Sequence, residues 1–142
     1  MRAFTKIFSI PGVRLGYLVC KSKEIHTKIA GQLPEWNLSC FAQEAGCICA
    51  KQAEFIEKTQ IYIEKERQFM EKEFMQIGLR SFPSVSNFIT IYSDKSLYEK
   101  LLNKGILIRD CSDFRGLGKG FYRIAVKSRK ENEILLMILE SL

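Results

Sequence analysis

The chain has 142 residues, of which 46% are apolar, 11% aromatic and 27% charged, the profile of a soluble globular domain long enough to bury a core. No run of about eighteen apolar residues occurs, and the start Met1-Arg2-Ala3-Phe4-Thr5-Lys6 lacks the apolar stretch of a secretory signal, so a membrane span and export are not expected and a cytoplasmic setting is. The net charge of +6 comes from 22 basic and 16 acidic residues that are interleaved, whereas a surface that tracks nucleic-acid phosphates needs clustering of one sign, so a nucleic-acid partner is disfavoured.

Taken in chain order, Pro11-Gly12 reads as a turn, and Val13 to Cys20 as a strand entered from it. Residues 22–30 suggest a short helix with Ser22 as its N-cap. Gly31 to Pro34 then interrupts the pattern, so residues 1–33 and 34–142 are expected to belong to different structural units. From Asn37 or Ser39 the sequence is helical almost to Gly78, a suitable glycine beyond a helix C-terminus, with a break expected near Gly46 or Cys49. Ile56, Ile63, Met70 and Ile77 recur every seven residues; the simplest reading of that stripe is a core-facing side. The mixed region from Glu64-Lys65-Glu66-Arg67 to Glu71-Lys72-Glu73 reads as the solvated side of the same helix. Val85 to Tyr92 reads as a strand, Asp94 to Asn103 as a helix, Ile106 to Arg109 as a short strand and Phe121 to Val126 as another. Ser128 and Glu131 have the spacing of a capping box for a last helix with Ile134, Leu135, Ile138, Leu139 and Leu142 on its apolar side. The expected fold class is α+β: an antiparallel sheet covered by helices.

Cys20, Cys40, Cys47, Cys49 and Cys111 are odd in number and irregular in spacing, and the single histidine, His26, is remote. That is not a zinc pattern; reduced, mostly buried thiols are expected, and no metal. Gly116-Leu117-Gly118-Lys119-Gly120 lies between two strands rather than between a strand and a helix, so it reads as a turn and not as a dinucleotide cradle. Arg123 stands out. In an alternating strand it shares a face with Phe121 and Ala125, and a guanidinium amid apolar residues needs an anion to meet it. Arg109 closes the preceding apolar run, and paired strands could bring the two together as a seat for a ligand with two anionic groups. The alternative is an internal salt bridge to Asp110 or Asp113.

Phe4-Thr5-Lys6-Ile7-Phe8-Ser9-Ile10-Pro11-Gly12-Val13-Arg14-Leu15-Gly16-Tyr17 resembles the active-site lysine segment of fold-type I pyridoxal-phosphate enzymes, in the histidinol-phosphate aminotransferase and threonine-phosphate decarboxylase branch. The likeness continues through Leu33 to Leu38, Ser84 to Phe88, Gly105 to Cys111, and Phe121 to Val126, and so covers essentially the whole chain. The stretch Arg109 to Gly118 is more similar to the decarboxylase of the cobalamin-biosynthesis type. The resemblance implies pyridoxal 5'-phosphate as cofactor, Lys6 as its Schiff-base lysine, Arg14 and Thr5 on the cofactor phosphate, Arg123 on the substrate carboxylate and Arg109 on the substrate phosphate. It implies a phosphorylated amino-acid substrate, a homodimeric parent and a chain two to three times this long. Residues 1–33 would then be the end of the large cofactor-binding domain, and residues 34–142 the long helix plus the small C-terminal domain. Ala3 departs from the pattern, since a phosphate-binding serine is frequent at that position. Alone, the chain would lack the aspartate and the stacking aromatic that hold the cofactor, so it is expected to be inactive. Two other readings are an aminotransferase in place of the decarboxylase, and a freestanding module that binds small anions through Arg109 and Arg123.

Overall fold

The computed structural model describes residues 1–142 and divides into two compact units, Met1–Glu57 and Lys58–Leu142. The division falls inside a helix, so it differs from the expected boundary at 33/34, which concerns membership of a larger parent.

In the first unit, β1 (Arg2–Ala3) pairs antiparallel with β2 (Gly16–Tyr17). The pairing is extended by the Phe4 amide, which donates to the Leu15 carbonyl at 3.1 Å. Gly16 is required there: a side-chain carbon would sit 2.9 Å from the Arg2 carbonyl oxygen. The expected strand over Val13 to Cys20 therefore shrinks to two residues. A run of β-forming residues needs a neighbour to ladder with, and here only Arg2–Ala3 offers one. Between the strands lie α1 (Phe4–Ile7) and a 3-10 turn, Pro11–Val13. Helix α2 (Lys23–Ala30) starts as expected at Ser22, whose hydroxyl accepts from the Ile25 amide at 3.3 Å. Helix α3 (Cys40–Cys49) is capped in the same way by Ser39 and the Ala42 amide, at 3.1 Å. Leu15, Ala42 and Cys49 are buried, whereas Cys40 and Cys47 are exposed, which corrects the expectation of mostly buried thiols.

Helix α4 (Ala53–Gln76) follows after a three-residue interruption and runs into the second unit. It ends at Gly78, φ +71°. The Leu79 amide donates to the Phe74 carbonyl at 2.8 Å and the Gly78 amide to Met75 at 3.2 Å, so the last carbonyls are satisfied by a left-handed glycine turn. Met70 and Phe74 are fully buried, with Ile63, Phe69 and Ile77 packed beside them. The solvated-side reading of residues 64–73 is wrong for Glu66, which is 3% exposed. Arg129 donates to its carboxylate through Nε (3.1 and 3.2 Å) and Nη2 (3.0 Å), and Asn132 Nδ2 donates at 3.1 Å.

The sheet has the order β3-β4-β6-β5, from β3 (Arg80–Phe82), β4 (Phe88–Tyr92), β5 (Arg109–Asp110) and β6 (Phe121–Ala125), with every neighbouring pair antiparallel. Alternation puts Ile89, Ile91, Tyr122 and Ile124 on one side, buried against α4, α5 (Leu97–Leu102) and α6 (Arg129–Glu140). This is the expected α+β arrangement. Helix α5 starts three residues late because Ser93 Oγ takes the Lys95 amide at 3.2 Å and holds a turn. The strand expected at Ile106 to Arg109 is displaced to Arg109–Asp110: the Ile106 amide is spent on Leu101 (2.9 Å) in the turn that ends α5, and the chain meets β6 only at Arg109. At α6, Ser128 and Glu131 form the expected capping box.

Candidate functional site

Two sets of residues carry the candidate chemistry, one in each unit. The first is the closed loop between β1 and β2. Lys6 lies on α1 with its side chain exposed, and no carboxylate or carbonyl accepts from its amine. Thr5 precedes it, half-buried. Arg14 follows the 3-10 turn in the left-handed region, φ 55° and ψ 41°, and its Nη1 donates to the Pro11 carbonyl at 3.0 Å. A non-glycine residue there is strained and persists only where its surroundings impose the conformation. Here both flanks are fixed: the Val13 amide donates to the Ile10 carbonyl at 3.1 Å, and Leu15 is buried, its side chain 3.1 Å from where an added carbon on Gly46 of α3 would lie. Phe4 and Phe8 stack at 5.8 Å, and Phe8 meets Phe55 at 5.5 Å, so the apolar side of α1 is packed while Lys6 is presented outward.

This donor set suits pyridoxal phosphate. An unpaired primary amine, a guanidinium with most of its N–H groups unused and a hydroxyl occur on one short, closed loop, which are the groups needed for an aldehyde and a phosphate.

The second set lies on the sheet face turned away from the core. Arg109 of β5 stands directly opposite Arg123 of β6, and Thr90 of β4 opposes Arg123 on its other side. Directly opposed residues have side-chain roots about 5 Å apart, so the two arginines leave the same sheet face side by side, and their guanidiniums then lie over different rings, Phe114 and Phe88. Their surroundings differ. Arg109 Nη2 bonds Asp113 Oδ2 at 2.6 Å and the guanidinium lies 5.3 Å from the Phe114 ring centre. Half of the internal salt-bridge alternative is therefore realised. Arg123 is half-buried, has no ion pair or hydrogen bond to a side chain or carbonyl, and lies 4.7 Å above the Phe88 ring centre. Cys111 is buried beside the pair with its thiol donating to the Arg109 carbonyl at 3.7 Å. Burial pushes that thiol up, opposed by the charges of Arg123 and Arg109. The ring supports Phe88 and Phe114 were not foreseen; Phe88 lies 35 positions from Arg123 and only strand register brings them together.

Elsewhere in the second unit, clefts of about 310 and 320 Å³ flank the C-terminal end of α4; neither is lined by Arg109 or Arg123. No group of three or more His, Cys, Asp or Glu could hold a metal, and no helix is long and apolar enough to cross a membrane.

Compared with known families, residues 1–139 match the model of aminotransferase class I and II. The chain belongs to that family. A Caldanaerobacter subterraneus protein that carries a provisional threonine-phosphate decarboxylase name is 40% identical over all of this chain and 40% of its own length. The threonine-phosphate decarboxylase of Salmonella typhimurium is 29% identical, over 99% of this chain and again 40% of its own length. The crystal structure of the histidinol-phosphate aminotransferase from Clostridium acetobutylicum superposes with a TM-score of 0.92 and 38% identity, over 99% of this chain and 44% of that one. The chain thus spans about two-fifths of the curated relatives that it matches, and its fold is that of the corresponding part of a fold-type I pyridoxal-phosphate enzyme.

Proposed function

We propose that this chain supplies the cofactor lysine and the substrate clamp of a pyridoxal-phosphate-dependent threonine-phosphate decarboxylase. The observation that carries the proposal is the register that sets Arg109 opposite Arg123 on the open sheet face, a two-cation seat suited to a substrate with a carboxylate and a phosphate. The 40% identity to the Caldanaerobacter relative supports the choice of decarboxylation. The 38% identity to the Clostridium enzyme supports a second reading, transamination of histidinol phosphate.

Pyridoxal phosphate, when bound, supplies an aldehyde for an amine and a ring that accepts the electron pair released at the substrate Cα. In this reading Lys6 Nζ is the amine and, once free, a proton carrier. Arg14 and Thr5 hold the cofactor phosphate, with Ala3 contributing nothing. Arg123 takes the substrate carboxylate and Arg109 the substrate phosphate. The orientation of the substrate would decide the outcome, because the residues that hold its carboxylate and phosphate select which Cα bond is presented to the cofactor. The clamp on the carboxylate is therefore the group on which decarboxylation and transamination diverge.

Residues 1–33 belong, in this reading, to the large cofactor-binding domain and residues 34–142 to the long helix and small domain of a cytoplasmic homodimer. The groups that stack on the cofactor ring and pair with its nitrogen come from the rest of that protein, so the 142 residues alone are not expected to turn over. The reading assigns no nucleic-acid or membrane partner.

The test has two parts. The whole protein is mixed with pyridoxal phosphate, reduced with borohydride and peptide-mapped; label concentrated at Lys6 supports the lysine assignment, and label at another lysine or spread over many overturns it. The whole protein is assayed for carbon dioxide release from threonine phosphate and for amino transfer from histidinol phosphate. Release of carbon dioxide supports the decarboxylase, amino transfer replaces it with the second reading, and neither reaction refutes both.

A further inference from the structure

We propose that Phe88 is a positioning residue for the anion clamp: its ring fixes the plane of the Arg123 guanidinium and leaves that group's N–H edge free for a ligand carboxylate. This rests on the reading of Arg123 as a clamp. A guanidinium has two ways of being held. A carboxylate or carbonyl partner takes up its in-plane N–H donors, whereas an aromatic ring engages its flat face and leaves all five donors available. Arg109 is held partly in the first way, by Asp113 at 2.6 Å. Arg123 is held only in the second, 4.7 Å from the Phe88 ring centre.

The sheet register dictates this arrangement. Phe88 pairs with Ala125, two positions along β6 from Arg123 and on the same face, so ring and guanidinium are diagonal neighbours. The short side chain of Ala125 leaves the ring face open for the arginine to lie on. In the opposite direction the face is filled: Phe121 packs against Phe82 at 5.8 Å and against Tyr92 at 5.1 Å. Arg123 leans toward Phe88. A half-buried arginine with several rotatable bonds is thereby restricted before any anion arrives, which reduces the entropy lost on binding.

The test uses the 142-residue chain titrated with O-phospho-L-threonine, with affinity measured by calorimetry and the Arg123 Nε–Hε resonance followed by NMR. In the unsubstituted chain the ring current of Phe88 displaces that resonance upfield. Phe88→Leu keeps the apolar bulk and removes the ring face. The displacement is lost and binding weakens about three- to tenfold, the ordering cost of one long side chain, while Phe88→Tyr restores both. Loss of the displacement with binding unchanged within twofold overturns the positioning role but leaves the clamp intact, provided that Arg123→Gln still weakens binding. If Arg123→Gln binds the probe as well as the unsubstituted chain, the clamp itself is refuted and the role of Phe88 falls with it.

Discussion

Glu66 sits in α4 with its carboxylate almost wholly out of water, and three donors converge on its two oxygens: Arg129 Nε, Arg129 Nη2 and Asn132 Nδ2, all at 3.0–3.2 Å. Glu66→Gln keeps the shape but replaces one oxygen by an NH2 group. Three donors cannot be served by one amide oxygen, so at least one donor must face another. Losing charge-assisted bonds and burying an unsatisfied donor together should cost about 2–3 kcal/mol, a fall in Tm of roughly 5–10 °C for a chain of this size. Arg129→Met should be worse, about 3–5 kcal/mol. It strands a buried carboxylate, whereas the Arg129 side chain is 39% exposed and retains water when Glu66 is neutralised. It also strips the guanidinium from the Phe69 ring, 3.5 Å away. The double variant Glu66→Leu with Arg129→Met should recover only part of the loss: an apolar pair carries no charge-desolvation penalty, but buried Asn132 Nδ2 then keeps the Lys127 carbonyl alone as acceptor. Urea unfolding followed by far-UV circular dichroism, arranged as a double-mutant cycle, measures the coupling. A cost below about 1 kcal/mol for Glu66→Gln, or an Arg129→Met variant no less stable than it, would refute the reasoning that burial of Glu66 sets the energetics.

Four other variants have outcomes set by their local geometry. Gly120→Ala should destabilise by about 2–3 kcal/mol, because its φ is +90° and a side-chain carbon would lie 2.7 Å from the Ser93 carbonyl oxygen. Gly116→Ala, with φ +87° but nothing within 4 Å, should cost only about 1 kcal/mol in the same melt. The Glu131 carboxyl is held down at about 2 by hydrogen bonds from Lys127 and from the Ser128 hydroxyl and amide. A depressed folded-state value means stability that is present above the ordinary carboxylate range and lost as pH falls toward 2; Glu131→Gln should flatten that part of the stability–pH curve, and an NMR titration should place the Glu131 midpoint far below the ordinary glutamate range. Asp113→Asn should tighten binding of O-phospho-L-threonine by about two- to fivefold, the worth of the exposed ion pair that the ligand must otherwise displace; unchanged or weaker binding in calorimetry means that Asp113 orients Arg109 instead of competing for it.

What could be read from the sequence is what local spacing determines. The capping box at Ser128 and Glu131 needs only residues three apart, and the two-residue period of Phe121 to Ala125 already separates Arg123 from Tyr122 and Ile124. The opposition of Arg109 and Arg123 followed once the two strands were taken to be paired. Glu66 was misread because its partners lie 63 and 66 positions away. A Glu within a run of alternating charges has the same local signature whether it faces water or an arginine from another helix. Strand β3 escaped notice for the opposite reason: Arg80-Ser81-Phe82 has almost no strand signal of its own and is extended because β4 supplies the ladder from Arg80↔Tyr92 to Phe82↔Thr90.

The placement of the arginines has a structural cause that is independent of any ligand. A sheet covered by helices on one side needs only every second residue for its core, and in β4 and β6 those positions are Ile89, Ile91, Tyr122 and Ile124. The intervening positions, Phe88, Thr90, Phe121 and Arg123, contribute little to that core and are free to vary in chemistry. Charge can collect on this face at small cost to folding, since a half-exposed guanidinium keeps part of its hydration. The same alternation forbids a compromise: moving Arg123 by one residue would exchange it with a core position and bury it among Ile89, Ile91 and Leu135. Core and clamp are therefore separated by the pleat of the strand itself, and the register that seats Ile124 against Ile89 is the register that sets Arg123 opposite Arg109 and beside Phe88.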